Sequence, residues 1–237
     1  MPAEIWEPQL RHFASTHRVV ALDPRGHGRS QKPTYGYHPL RRSRDIGELL
    51  DHLGGRPAVV AGWSLGVPEA VVYAREFGTE AVRALVLVDW DIAGTQPVDE
   101  EGLAFISLAG REGPARPPGI HPCLHRVAVR DAPDGRVPRP NHGGCALDAR
   151  QRRGPGHCQC SAVFGPLDLR PSLRAVDRPM LFVFSSLDWA VAAAEKARRD
   201  RPNDRVSVID GTSHALFVDK PDEFNRLLEE FLASLPE

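Results

Sequence analysis

Five short apolar, β-branched runs recur along the chain and alternate with helical patterns. They are residues 18–23 (RVVALD), 57–62 (PAVVAG), 83–89 (RALVLVD), 179–185 (PMLFVFS) and 205–210 (RVSVID). Such runs are apolar at consecutive positions rather than at alternate ones, so each strand must be covered on both faces. Residues 42–53 place Ile46, Leu49, Leu50 and Leu53 at helical spacing before Gly54 and Gly55. An apolar helical pattern runs from Gly66 to about Phe77, an Ala-rich one covers 189–200, and 221–234 puts Phe224, Leu227, Leu228, Phe231 and Leu232 on one face. Strands that alternate with helices predict a mainly parallel, doubly wound α/β sheet.

With 237 residues and a formal charge of −1, one domain with a proper core is expected. The near-neutral charge argues against nucleic acid or an anionic membrane surface as a partner. No run is long enough to span a membrane or to serve as a signal peptide, so a cytoplasmic location is the expectation.

Residues 111–160 break this pattern. The window holds nine Arg, eight Pro, seven Gly, four His and all four cysteines (Cys123, Cys145, Cys158 and Cys160). Its nine Arg against four acidic residues give +5, which leaves −6 for the remainder. The expected organisation is therefore a single domain in three stretches: 1–110 and 166–237 as the two parts of a core, with 111–165 inserted between them. His121, His125, His142 and His157 beside the cysteines suggest a metal site, but the spacings lack the paired C-x2-C or H-x3–5-H arrangement of a zinc module. No metal is expected, and no disulfide framework either.

The chemistry concentrates at Gly62-Trp63-Ser64-Leu65-Gly66, a G-x-S-x-G pattern between a strand and a helix. A serine on such a turn stands exposed at the sheet edge, and the helix N-terminus beside it favours developing negative charge. A nucleophilic serine needs a base, and the base needs an orienting acid. His214 follows the strand 205–210 and Asp188 follows the strand 179–185, so both reach the edge where Ser64 stands. The order Ser64, Asp188, His214 suits this mechanism on an α/β sheet. Asp89, at the end of the run 83–89, is the alternative acid, and Asp91 is a weaker rival.

These residues carry a resemblance. VVALDPRGHGRSQKP, GWSLGV, LVLVD, LFVFSSLD and SHALFVDKPDEFNRLLEEFL resemble, in order, the α/β-hydrolase fold superfamily, in particular its small bacterial esterase, lactonase and non-haem haloperoxidase-like branch. The resemblance implies Ser64 as nucleophile, Asp188 as acid, His214 as base and the Leu65 backbone N–H as one oxyanion donor. It implies a serine hydrolase that cleaves a small carboxylic ester or lactone through an acyl-enzyme, without metal or organic cofactor. Perhydrolase or haloperoxidase activity with the same triad is the alternative. A cofactor-free dioxygenase follows if Asp89 is the acid, and a non-catalytic remnant is the reading from another class.

Two departures from the family accompany the resemblance. Members carry further residues ahead of the segment that MPAEIWEPQLRHF resembles, and these build the first strands and the His-Gly loop that supplies a second oxyanion N–H. Here the nearest pairs are His27-Gly28 and His142-Gly143, and no second donor is identified. The expectation is an internal start or a truncated gene, with the first strands missing. The window 111–160 occupies the place of the family's helical cap. Shifted by one base under GC-biased codons, RDAPDGRVPRPNHGGCAL admits an amphipathic helical reading, so a compensated frameshift is expected there.

Overall fold

The computed structural model describes residues 2–94 and 168–236. The window 111–160, and with it every cysteine, His142 and the expectations attached to them, lies outside the described residues.

The chain opens with a short turn of 3-10 helix, Ala3–Trp6, that leads into helix α1, Glu7–Phe13. Helix α2 spans Pro39–His52, strand β1 Ala58–Trp63, helix α3 Gly66–Phe77 and strand β2 Val82–Val88. The second described part holds α4 (Arg170–Arg174), β3 (Met180–Ser185), α5 (Asp188–Asp200), β4 (Arg205–Ile209), α6 (Leu216–Asp219) and α7 (Pro221–Ala233). The four strands form one parallel sheet in the order β1-β2-β3-β4.

The continuous apolar runs are explained by two cores, one on each face. Alternate residues divide between them: Leu85, Leu87, Phe182 and Phe184 face one core with Leu50, Val71, Tyr73, Ala190 and Ala194. Val86, Val88, Leu181 and Val183 face the other, with Phe217, Phe224 and Phe231. Helices α2, α3 and α5 thus cover one face, while α6 and α7 cover the other. The Ala-rich face of α5 (Ala190, Ala193, Ala194, Ala197) is fully buried, because only small side chains let a helix lie this close to a sheet.

Helix α3 is buried along Val67–Ala74, wedged between the sheet and α2. Trp6 stacks on Phe217 with ring centroids 3.9 Å apart. The Gln9 amide donates to the Phe217 carbonyl at 2.9 Å and to the Asn225 side-chain oxygen at 3.2 Å. The N-terminal segment is thereby fastened to the last two helices.

The strand expected at 18–23 does not form. Only Val19 makes a bridge, and the rest of the run has no regular structure. A strand needs a hydrogen-bonding neighbour as well as β-branched residues, and this run takes no place in the sheet. The loop beyond it is well tied nonetheless. The Asp23 carboxylate accepts from the N–H of Ala3 at 2.6 Å and of Arg29 at 2.9 Å. Gly28 sits at φ +48, where a Cβ would strike that carboxylate.

Candidate active site

Ser64 follows the last residue of β1 at φ +53, in the left-handed region that a non-glycine residue enters at a cost. Its N–H donates to the Val88 carbonyl at 3.0 Å, and its own carbonyl accepts from Val67 N–H at 2.9 Å. The turn from strand to helix is completed within two residues, and α3 starts at Gly66. Gly62 is obligatory here: a Cβ on it would lie 2.3 Å from the Gly66 carbonyl oxygen. Gly66 is different, for a Cβ there would meet nothing within 4 Å. Close backbone approach in this pentapeptide therefore rests on its first glycine alone. Leu65 caps the helix, and its N–H precedes the first helical turn, where backbone donors have no intrahelical partner.

Asp89 follows the last residue of β2 and is the only other non-glycine residue at positive φ among the described residues, at +54. Its N–H donates to the Val183 carbonyl at 2.9 Å, which sets it against the end of β3. Its side chain is entirely buried and its carboxylate is fully engaged. Oδ1 accepts from the Ser185 N–H at 2.8 Å, and Oδ2 accepts from the Ser185 hydroxyl at 3.0 Å. Oδ2 also meets His214 Nδ1 at 2.8 Å. A buried carboxylate is tolerable when its lone pairs are matched in this way.

His214 lies in the loop between β4 and α6. Gly211 at φ +63 turns the chain, and the Thr212 hydroxyl donates back to the Ile209 carbonyl at 2.6 Å. The Asp219 carboxylate accepts from both the hydroxyl and the N–H of Ser213, and these bonds hold its pKa below the usual carboxylate value. The residue before His214 is thus clamped. Because an ionised carboxylate can only accept, the Nδ1 proton of His214 points at Asp89. That leaves Nε2 as the acceptor, the tautomer a general base requires.

His214 Nδ1 therefore donates to Asp89, the alternative acid, and not to Asp188. Asp188 is the first residue of α5 and is exposed, where its charge complements the helix dipole. Only its neighbour Trp189 approaches His214, with ring centroids 5.9 Å apart. Asp91 is buried and bound elsewhere, accepting from Ala93 N–H at 2.9 Å and pairing with Lys196 at 3.0 Å. Ser185 carries no signal in the sequence, since it reads there as the polar end of an apolar strand. His27, of the pair His27-Gly28, belongs to a different network: its Nδ1 lies 3.2 Å from an Arg42 guanidinium nitrogen. Among the described residues no cluster of His, Cys, Asp and Glu is arranged to hold a metal ion.

The chain that carries this site, with a strained serine at a strand-to-helix turn and a His–Asp pair drawn from beyond the ends of β4 and β2, has counterparts among known proteins. A model described as the alpha/beta hydrolase family matches residues 1–227. The chain belongs to the alpha/beta hydrolase family. This α/β-hydrolase is similar to the non-heme chloroperoxidase CPO-A1 of Kitasatospora aureofaciens, at 27% identity over 97% of this chain and 87% of that protein. It is similar also to 3-oxoadipate enol-lactonase 2 of Acinetobacter baylyi, at 26% identity over 95% of this chain and 82% of the other. Among solved structures, the fold matches E-2-(acetamidomethylene)succinate hydrolase with a TM-score of 0.64 and 22% identity, covering 98% of this chain and 88% of that one. The protein is thus an enzyme of the α/β-hydrolase class. No helix among the described residues is long and apolar enough to cross a membrane.

Proposed function

We propose that this α/β-hydrolase cleaves a small carboxylic ester or lactone through an acyl-enzyme, with Ser64 as nucleophile, His214 as base and Asp89 as acid. The observation that carries the proposal is the 2.8 Å bond between His214 Nδ1 and the buried Asp89 carboxylate, one strand away from a serine held at φ +53. Ser64 attacks the carbonyl carbon while His214 Nε2 takes its proton. Asp89 holds the imidazole in place and stabilises the cation that forms. The Leu65 N–H, at the head of α3, stabilises the oxyanion. The proton passes to the leaving alcohol, and water, deprotonated in turn by His214, releases the acid.

The substrate class is supported by the name of the Acinetobacter enol-lactonase. The similarity to a non-heme chloroperoxidase favours a second reading, in which peroxide replaces water at the acyl-enzyme and a peracid results. A cofactor-free dioxygenase with Asp89 as acid would consume oxygen. The experiment is hydrolysis of p-nitrophenyl acetate by the wild type and by Ser64→Ala, with peroxide-dependent halogenation of a dye and oxygen uptake measured in parallel. Hydrolysis lost in Ser64→Ala supports the proposal. Turnover that survives the substitution rejects it, and an inactive wild-type chain favours the non-catalytic remnant.

A further inference from the structure

Trp63 adjoins the proposed nucleophile in the chain and meets the proposed base in space. It is the last residue of β1, directly before Ser64. Its indole N–H donates to the backbone carbonyl of His214 at 2.8 Å. Its ring centroid is 5.1 Å from that of the His214 imidazole, tilted by 43°. Phe217 packs edge-on against the same indole at 5.2 Å. An indole can only donate, and the His214 carbonyl can only accept, so the bond has one sense. It ties the loop after β4 to the strand end that carries the elbow.

The ring contact adds a second effect. A cation within about 6 Å of an indole centroid is attracted to the π face, more strongly than to that of Phe. Neutral imidazole gains far less. The attraction therefore grows as His214 takes a proton, which is when stabilisation accelerates a reaction. The other groups around His214 are Asp89 at Nδ1, Asp219 on the neighbouring Ser213, and Asp188 beside Trp189, whose ring stands 5.9 Å away.

We propose that Trp63 is a positioning residue for the proposed hydrolysis: its N–H sets where His214 stands relative to Ser64, and its ring favours the imidazolium form of His214. The inference rests on the reading of Ser64 and His214 as nucleophile and base. Nothing in it depends on the substrate.

Two variants separate the two effects. Trp63→Phe keeps a π face and removes the N–H, whereas Trp63→Leu removes both. The first readout is the NMR titration of the His214 imidazole in a Ser64→Ala background without substrate. His214 is expected to titrate at lower pH in the Leu variant than in the wild type, with the Phe variant between. The second readout is p-nitrophenyl acetate hydrolysis. Here kcat is expected to fall by about tenfold in Trp63→Phe, the worth of one hydrogen bond, with KM changing less. The acidic limb of the pH profile, where the base gains its proton, should move to lower pH only slightly in that variant. Identical His214 titrations in all three proteins overturn the role of the ring, and an unchanged kcat in Trp63→Phe overturns that of the N–H. If Trp63→Leu does not fold, Trp63→Met, which also lacks a ring, takes its place in the titration, and the Phe variant still decides the N–H. Because the titration needs no substrate, it judges Trp63 even where Ser64→Ala leaves turnover intact and the hydrolase reading fails.

Discussion

Two residues, Ser64 and Asp89, adopt a backbone conformation that side chains of their kind avoid, and both stand at the ends of adjacent strands. Strain of this sort persists only where the surroundings over-determine it, and it gathers at functional sites. For Asp89 the surroundings are explicit: one N–H bond to Val183, two bonds from Ser185, and one from His214. Asp188 has none of these on its carboxylate and is exposed. The two acids are thus distinguishable by substitution. Asp89→Asn should lower kcat by about 10³–10⁴, because an amide donates where Nδ1–H needs an acceptor and the imidazole takes the wrong tautomer. Asp188→Asn should leave kcat within a few-fold of wild type. Steady-state kinetics on the two variants reads both, and the opposite ranking returns the acid to Asp188.

At the scale of the element, the elbow is a junction between β1 and α3 in which the two glycines have unequal duties. Gly62 leaves no space for a methyl group, since the Gly66 carbonyl oxygen would lie 2.3 Å from it and is backbone that cannot step aside. Gly66 opens a helix with space around it and an ordinary φ. Gly62→Ala should therefore destabilise the fold by several kcal/mol and abolish activity with it, as overpacking against fixed backbone does. Gly66→Ala should be neutral or stabilise by up to about 1 kcal/mol, because it lowers the entropy of the unfolded chain at a position alanine accepts. Denaturant midpoints of the two variants test the contrast. The strands themselves were legible from their residues. ALVLV and MLFVF, the centres of two of these runs, are apolar at every position because β2 and β3 lie inside the sheet with a core on each face. RVVALD has the same composition and makes no strand, because β-branched residues favour an extended chain but cannot supply the neighbour it pairs with.

At the scale of the whole molecule, a charged network joins the segments on one side of the sheet. Arg42, buried on α2, pairs with Glu69 on α3 at 2.6 Å and reaches the Arg25 carbonyl at 3.3 Å and His27 Nδ1 at 3.2 Å. Burial pushes the Glu69 carboxyl up against the pull of Arg42. Burial also lowers the pKa of His27, and the Arg42 charge adds to the effect. The folded protein thus resists a proton that the unfolded chain accepts near the ordinary histidine value. Stability from His27 is complete above about pH 6.5 and is lost as pH falls from there through the lower folded-state value. His27→Gln keeps an acceptor for Arg42 and removes the titration. The drop in denaturation midpoint between pH 7.5 and pH 5.5 should be smaller in that variant than in wild type; an equal drop would falsify this role for His27.

Much of this molecule was already determined by local chemistry in the chain. Runs apolar at every position demanded a two-faced parallel sheet, Gly62 with Ser64 marked a strand-to-helix elbow, and a histidine after β4 fell at the same edge. These are short-range properties, set by periodicity and by the room around a backbone. The carboxylate that pairs with His214 was not of that kind. Asp89 and Asp188 both follow a strand and both end at the same edge, so neither composition nor chain order separates them. The tertiary structure separates them, because the left-handed turn at Asp89 lays its carboxylate across the end of β3, onto Ser185 and His214. Trp63 was likewise only an unspecified position within the elbow until the fold brought the His214 carbonyl to its indole N–H. Contacts between residues 96 to 151 positions apart are written in the packing of the strands, and packing is a property of the whole chain at once.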